Sequence, residues 1–179
     1  GEGVPKDLDK AVEWTRKAAD QGCADAECNL SVMYRDGAGV PKDLAESVKW
    51  LRKAADHGLP KAQYSLGKLY YTGDCIPKDL TEAVKWIRMA ADQGLPEAQN
   101  QLGSAYFHGL GVSKDLAQAV EWYRKAANQE NADSQRNLGI MYHDGKGVPK
   151  DLAEAVKWLR KAAEQGHADA QSRLGYLYT

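Results

Sequence analysis

The chain is 179 residues long and nearly neutral, with 24 Lys and Arg against 25 Asp and Glu and a formal charge of -1. That balance lacks the basic footprint of a nucleic-acid binder and the polybasic cluster of a membrane-surface protein. No apolar run approaches the roughly 18 residues needed to span a bilayer.

From the N-terminus onward, one phrase returns every 36 residues. It reads Gly3-Val4-Pro5-Lys6-Asp7-Leu8, then Gly39-Val40-Pro41-Lys42-Asp43-Leu44, then Cys75-Ile76-Pro77-Lys78-Asp79-Leu80. It continues as Gly111-Val112-Ser113-Lys114-Asp115-Leu116 and Gly147-Val148-Pro149-Lys150-Asp151-Leu152. A fixed period in this range means stacked supersecondary units in place of one globular core. The units run 1–36, 37–72, 73–108, 109–144 and 145–179. The cysteines, Cys23, Cys28 and Cys75, are odd in number and do not follow the period. They read as free thiols more readily than as a disulfide framework, although spacing alone leaves a Cys23–Cys28 bridge open.

The second unit shows the design. Gly37-Ala38-Gly39 is a turn with glycines for positive φ, and Pro41 stiffens its exit. Asp43 stands at a helix N-cap with Glu46 as its capping-box partner, an arrangement repeated at Asp79/Glu82, Asp115/Gln118 and Asp151/Glu154 but broken by Lys10 after Asp7. Leu44, Ser47, Val48, Leu51, Ala54 and Ala55 then share one helical face, and His57-Gly58 ends the helix. A second helix begins near Pro60 and buries a narrow stripe of Ala62, Leu66 and Tyr70. Gly67 permits close helix approach. Two antiparallel helices per unit give ten helices in all.

These residues resemble the Sel1-like repeat family, relatives of the tetratricopeptide repeat. The family pattern A-x-x-x-L-G-x-x-Y-x-x-G-x-G-V is met by Ala98, Leu102, Gly103, Tyr106, Gly109, Gly111 and Val112, and in part by Ala62, Leu66, Gly67, Tyr70 and Gly73. Its continuation D-x-x-x-A-x-x-W-x-x-K-A-A is visible in Asp151, Ala155, Trp158, Lys161, Ala162 and Ala163. The resemblance implies an all-α fold, a right-handed α/α superhelical solenoid, used mostly as a protein-binding scaffold. Departures cluster at Ser31, which replaces the helix glycine, at Cys75 and Ile76, at Ser113, and between Asn128 and Ser134. There Glu130 stands where other units have Gly22, Gly58, Gly94 and Gly166, which predicts a locally altered turn at a cost of roughly 1 kcal/mol.

Recurring residues read as architecture. Trp14, Trp50, Trp86, Trp122 and Trp158 share one repeat position and read as packing anchors between helices. Tyr34, Tyr70, Tyr106, Tyr142 and Tyr178 are expected to bury their rings and bond backbone through their hydroxyls. Arg16, Arg52, Arg88, Arg124 and Arg160 are expected to pair with Asp7 and its equivalents. The histidines His57, His108, His143 and His167 lack metal-ligand spacing, and no nucleophile motif is present. Neither a cofactor nor a metal is expected.

What varies is a stripe on the second helix of each unit, at positions spaced i, i+4 and i+7. The three series run Cys28, Tyr64, Asn100, Arg136, Ser172; Val32, Lys68, Ser104, Ile140, Tyr176; and Arg35, Tyr71, Phe107, His143, Thr179. Drift at exposed positions and a binding groove both produce such variation. Read as a groove on the concave surface, it offers Tyr64, Lys68, Tyr71, Asn100, Ser104, Phe107, Arg136, Ile140 and His143 to a protein or extended peptide. Two other readings share the sequence. One is a weak hydrolase resembling β-lactamase-like relatives, which nitrocefin turnover would reveal. The other is a secreted factor that binds host proteins. The chain opens on Gly1 within a repeat, as an excised or processed form would, and shows no polar caps on its terminal helices. Flanking repeats in the parent protein, or end-to-end self-association, are therefore expected.

Overall fold

The predicted N-caps Asp7, Asp43, Asp115 and Asp151 each stand at the start of a helix. The computed structural model describes residues 7–178 and contains, among the described residues, ten helices and no strand. In chain order these are α1 Leu8–Ala19, α2 Ala24–Asp36, α3 Leu44–Asp56, α4 Pro60–Thr72 and α5 Leu80–Asp92, followed by α6 Pro96–His108, α7 Leu116–Asn128, α8 Ala132–Asp144, α9 Leu152–Glu164 and α10 Ala168–Leu177. The fold is an all-α helical repeat solenoid. Gly1-Glu2-Gly3, the rest of the first repeat phrase through Lys6, and Thr179 lie outside the described residues.

The N-cap aspartates act as expected, but the capping box is only half built. Asp43, Asp115 and Asp151 each accept two backbone N–H groups of the first turn at 2.9–3.0 Å, and Asp7 accepts that of Lys10 at 3.0 Å. The reciprocal acceptor is not the glutamate. The N–H groups of Asp43, Asp79, Asp115 and Asp151 donate to the carbonyls of Tyr34, Tyr70, Tyr106 and Tyr142 at 2.9–3.0 Å. This turn bond satisfies the donor and ties each unit to the preceding helix. Glu46 and Glu154 instead bind Lys49 and Lys157, three residues on, at 2.8 and 2.7 Å.

The chain divides into two compact units, Gly1–Asp79 and Leu80–Thr179. In the first, Trp50 of α3 closes a core of Val12, Ala19, Ala26 and Leu30 from α1 and α2. In the second, Trp158 of α9 does the same over Ala119, Val120, Ala127 and Leu138 of α7 and α8. Trp50, Trp86, Trp122 and Trp158 are 6% exposed, as packing anchors should be, whereas Trp14 is 65% exposed. The physical reason is register, because the buried rings of Trp50 and Trp158 sit on the preceding helix pair and no described helix precedes α1. Lysines cover the rings from outside, with Lys53 Nζ 3.9 Å from the Trp50 centroid and Lys125 Nζ 3.8 Å from that of Trp122.

Two sequence expectations are corrected together. Among the described residues, Arg16, Arg52, Arg124 and Arg160 do not pair with Asp7, Asp43, Asp115 and Asp151, and the recurring tyrosine hydroxyls take an arginine partner in place of the backbone. Each arginine donates to the tyrosine hydroxyl 18 residues on. Arg52 reaches Tyr70 at 2.5 Å, while Arg88–Tyr106, Arg124–Tyr142 and Arg160–Tyr178 measure 2.6 Å, and Arg16 binds Tyr34 in the same way. Asp7, Asp43, Asp115 and Asp151 spend one oxygen on amides at the opposite end of the helix that carries the arginine, and the Arg and Tyr stripes satisfy each other instead.

Close approach at the helix glycine is also evident. A Cβ on Gly103 would lie 2.8 Å from the Tyr123 ring, and one on Gly139 would lie 2.7 Å from Leu159 Cγ. Where Ser31 replaces this glycine, its hydroxyl lies 3.2 Å from that of Ser47, which itself stands where Ala119 and Ala155 stand elsewhere. Two polar departures thus bury as one bonded pair.

The altered turn expected at Glu130 is not found. Glu130 takes φ +62°, in the left-handed region held by Gly58 at +87° and Gly166 at +85°. Its turn bonds, to Ala127 and Ala126, match those of Gly58 and Leu59 to Ala55 and Ala54. The strain is offset next door, since Asn131 caps α8 by accepting the Ser134 N–H at 2.9 Å, whereas Leu59 and Leu95 cap nothing. Glu130→Gly is therefore expected to stabilise the protein by about 1 kcal/mol. A rise in urea midpoint at constant slope is the measurement that checks it.

An amide ladder, absent from the sequence reading, recurs in both units, and in the first Gln63 donates to the Ala55 carbonyl at 3.1 Å. Gln99, Gln135 and Gln171 donate to the carbonyls of Ala91, Ala127 and Ala163 at 3.0–3.1 Å. Gln129 and Gln165 then donate to the side-chain oxygens of Gln99 and Gln135 at 2.8 Å. At the first repeat's ladder position stands Glu27, 1% exposed, whose Oε2 lies 2.7 Å from His57 Nδ1. Removing the imidazole strands a buried carboxylate. His57→Ala should cost about 2 kcal/mol, whereas His57→Gln, which restores the amide donor, should keep most of that. Paired urea titrations distinguish the two.

Candidate functional site

The variable stripe lies on α2, α4, α6, α8 and α10, and the groove residues expected in the first unit are Tyr64, Lys68 and Tyr71 on α4. Tyr64 and Tyr71 are half-buried, and Lys68 is exposed with its Nζ 5.7 Å from the Tyr64 ring centroid. None of the three lines the neighbouring cavity of about 150 Å³, whose walls include Val32, Leu44, Val48, Leu51 and Cys75. The Cys28 thiol on that wall is pushed up by burial and, second, by the Asp25 charge, the wrong direction for a nucleophile.

The second-unit members are Asn100, Ser104 and Phe107 on α6, and Arg136, Ile140 and His143 on α8. Four of these line two cavities of about 230 and 380 Å³ that share Ile140 and Arg173. Phe107 and Arg136 belong to the smaller one, His143 to the larger. Asn100 and Ser104 are spent on packing. Asn100 Oδ1 accepts the Ser134 hydroxyl at 2.8 Å and Asn137 Nδ2 at 3.2 Å, joining α6 to α8. Ser104 sits beside the Tyr123 hydroxyl, which burial pushes up to about 12 against the opposing influence of Ser104 and Arg136.

Charge in this region is organised around one carboxylate. Asp169 Oδ2 accepts Arg136 Nε at 2.6 Å and Arg173 Nε at 2.9 Å. The hydrogen bonds from Arg173 and then Arg136 hold the Asp169 carboxyl below the usual carboxylate range. Arg136 also donates from Nη1 to Asn137 at 2.8 Å. Farther along α8, His143 Nδ1 and Lys146 Nζ both lie 2.8 Å from the Asp144 carboxylate. Phe107 stands edge-on to His108, with ring centroids 4.9 Å apart. Apolar walls beside clustered guanidinium groups suit binding by contact and charge. Among the described residues, no group of three or more His, Cys, Asp and Glu could hold a metal ion, and no helix is long and apolar enough to cross a membrane.

Sequence reasoning passed over Tyr123, Asp169 and Arg173. A signal for Arg173 existed, because its repeat equivalents are Asn29, Ser65, Gln101 and Asn137, all neutral. Asp169 four residues before it makes an i, i+4 pair on one helix face. Arg136 joins that pair from 33 residues away, which spacing within one helix does not reveal.

The chain is similar to known repeat proteins in sequence and in fold. The family model described as Sel1 repeat matches residues 1–23, 24–59, 60–95, 96–131, 132–167 and 168–179, covering the whole chain. Among solved structures, a protective antigen present in uropathogenic Escherichia coli strains, displaying an SLR fold, is 45% identical with a TM-score of 0.94. That match covers 99% of this chain and 38% of the antigen, so the chain spans well under half of that relative. A Sel1 repeat protein from Oxalobacter formigenes is 41% identical with a TM-score of 0.87, over 98% of this chain and 72% of its own. Helicobacter pylori cysteine rich protein B is 28% identical with a TM-score of 0.59, over 74% of this chain and 96% of its own. Comparison with functionally curated proteins gives no match.

Proposed function

Because the chain belongs to the Sel1 repeat family, we propose that it binds an extended protein segment along the variable stripe of α6, α8 and α10; Tyr64, Lys68 and Tyr71 of the first unit offer a contact of their own. Sel1 repeat proteins are in general protein-interaction scaffolds and typically non-catalytic. The observation that carries the reading is the pair of adjoining cavities in the second unit. Their walls hold Phe107, Arg136, Ile140 and His143, which change between repeats, whereas Leu102, Tyr106, Leu138 and Tyr142 of the packing stripe on the same helices keep their repeat identity. Aromatic and Arg side chains with apolar neighbours are the usual centres of interface energy.

Peptides selected from a random phage library on the immobilised chain supply the test. Phe107→Ala combined with Ile140→Ala is expected to weaken them at least tenfold in fluorescence anisotropy. Lys157→Ala with Glu121→Ala, on α9 and α7, should leave them unchanged. Equal loss in both variants, or none in the first, contradicts the proposed location.

A separate observation supports self-association. Trp14 is 65% exposed on α1, and Tyr176 and Tyr178 are 78% and 64% exposed at the opposite terminus. Exposed apolar rings of this size seek cover, and α10 presents the half-buried Leu174 where the equivalent Leu138 is 0% exposed. Sedimentation velocity is expected to show concentration-dependent dimers that Trp14→Glu abolishes. A monomer at every concentration removes this proposal.

A further inference from the structure

Resting on that reading, we propose that the second unit selects segments with an internal acidic residue, whose carboxylate docks at Arg173 while apolar neighbours fill the cavities on either side. The argument starts from charge. Arg136 and Arg173 share one oxygen of one carboxylate, Asp169 Oδ2, so the cluster keeps one positive charge in excess. Both bonds to Asp169 use Nε, and Arg173 makes no described hydrogen bond through its Nη groups. Its side chain is 45% exposed. A guanidinium so anchored presents a planar donor fork that matches a carboxylate.

Position then decides what kind of carboxylate fits. Arg173 and Ile140 line both cavities, so the cationic point lies between two recesses. One adds Phe107, Tyr123 and Met141, and the other adds Leu159 and Leu177. A segment that fills both must run past Arg173 in each direction. That geometry suits an Asp or Glu side chain within the segment in preference to a chain-terminal carboxylate. At the end of α8, His143 and Lys146 are both engaged with Asp144, and Asp133 at its start lies 3.2 Å from His167 Nε2. His108 at the end of α6 packs edge-on to Phe107.

The cluster is not part of the repeat. The equivalents of Arg136 are Cys28, Tyr64, Asn100 and Ser172, so among the described residues this pair of helices alone brings two guanidinium groups to one aspartate.

The test uses the random phage library on the wild-type chain and on Arg173→Met, with selected peptides resynthesised in Glu and Gln forms. On the wild type, Asp or Glu is expected at one register position flanked by apolar residues, and Glu-to-Gln exchange should weaken binding about tenfold. Arg173→Met should erase that difference, and Arg173→Lys, which keeps the charge but not the fork, should restore only part of it. Asp169→Asn, which removes the internal competitor, should tighten the acidic peptides several-fold. Circular dichroism and urea midpoints confirm that each variant folds. Peptides without acid enrichment, or indifferent to Glu-to-Gln exchange, overturn this inference while leaving the scaffold reading intact. A tighter fit for analogues ending on a free carboxylate also overturns it. A library that yields no binder at all removes both.

Discussion

Trp158→Ala is expected to lower the unfolding free energy by about 4 kcal/mol, the upper range for removing a buried aromatic side chain. The ring is 6% exposed and packs on Ala119, Val120, Ala127 and Leu138, which belong to the two preceding helices. Its loss therefore removes an inter-repeat contact, not merely a side chain's own burial. Because stacked repeats touch only their neighbours, the damage should concentrate in α7 to α10 and broaden the denaturation curve. Trp14→Ala is the internal control. At 65% exposure it should cost well under 1 kcal/mol. Urea titrations of the two variants, followed by circular dichroism, check the contrast. Similar losses at both positions would mean that the repeated tryptophan is not an inter-repeat anchor.

The second large effect is steric. Gly111→Ala should cost about 3 kcal/mol, while Gly166→Ala should cost about 1 kcal/mol. Both glycines sit in the left-handed region, at φ +73° and +85°, so the backbone penalty is shared. They differ in what a Cβ would meet. At Gly111 it would lie 2.0 Å from the Leu80 carbonyl oxygen, and backbone must move to admit it, whereas at Gly166 nothing lies within 4 Å. Cys75 shows how such a position is accommodated. It holds φ +66° at the equivalent turn, and there a cavity of about 150 Å³ lies against Leu44 and Cys75. Thermal melts of the two alanine variants should therefore separate clearly. Equal melting temperatures would mean that only the dihedral matters.

These cases also show what was legible in the residues themselves. Period, caps and stops were legible because each is local. Asp43, Asp115 and Asp151 needed only a free oxygen within three residues of the amides they accept. Pairings between helices were not. Arg88 meets Tyr106 across 18 residues, and the ladder joins Gln129 to Gln99 across 30. Helical periodicity fixes which face a residue occupies but not which side chain on the facing helix lies level with it. The site divides the same way. Phe107 and Ile140 stood out because they vary where packing residues do not, whereas Asn100 and Ser104, which vary equally, turn inward to Ser134 and Tyr123. Variation marks freedom from the repeat, and only geometry separates a residue free to bind a partner from one recruited to a local hydrogen bond.

The central claim is that a partner segment lies on the second-helix stripe of the second unit. Backbone amide chemical-shift mapping with a phage-selected peptide tests it most directly. The account predicts perturbations concentrated at Phe107, Arg136, Ile140, His143, Arg173 and Tyr176, with α9 residues such as Lys157 and Arg160 unmoved. Perturbations confined to the first helices of the repeats, with the stripe silent, would contradict it.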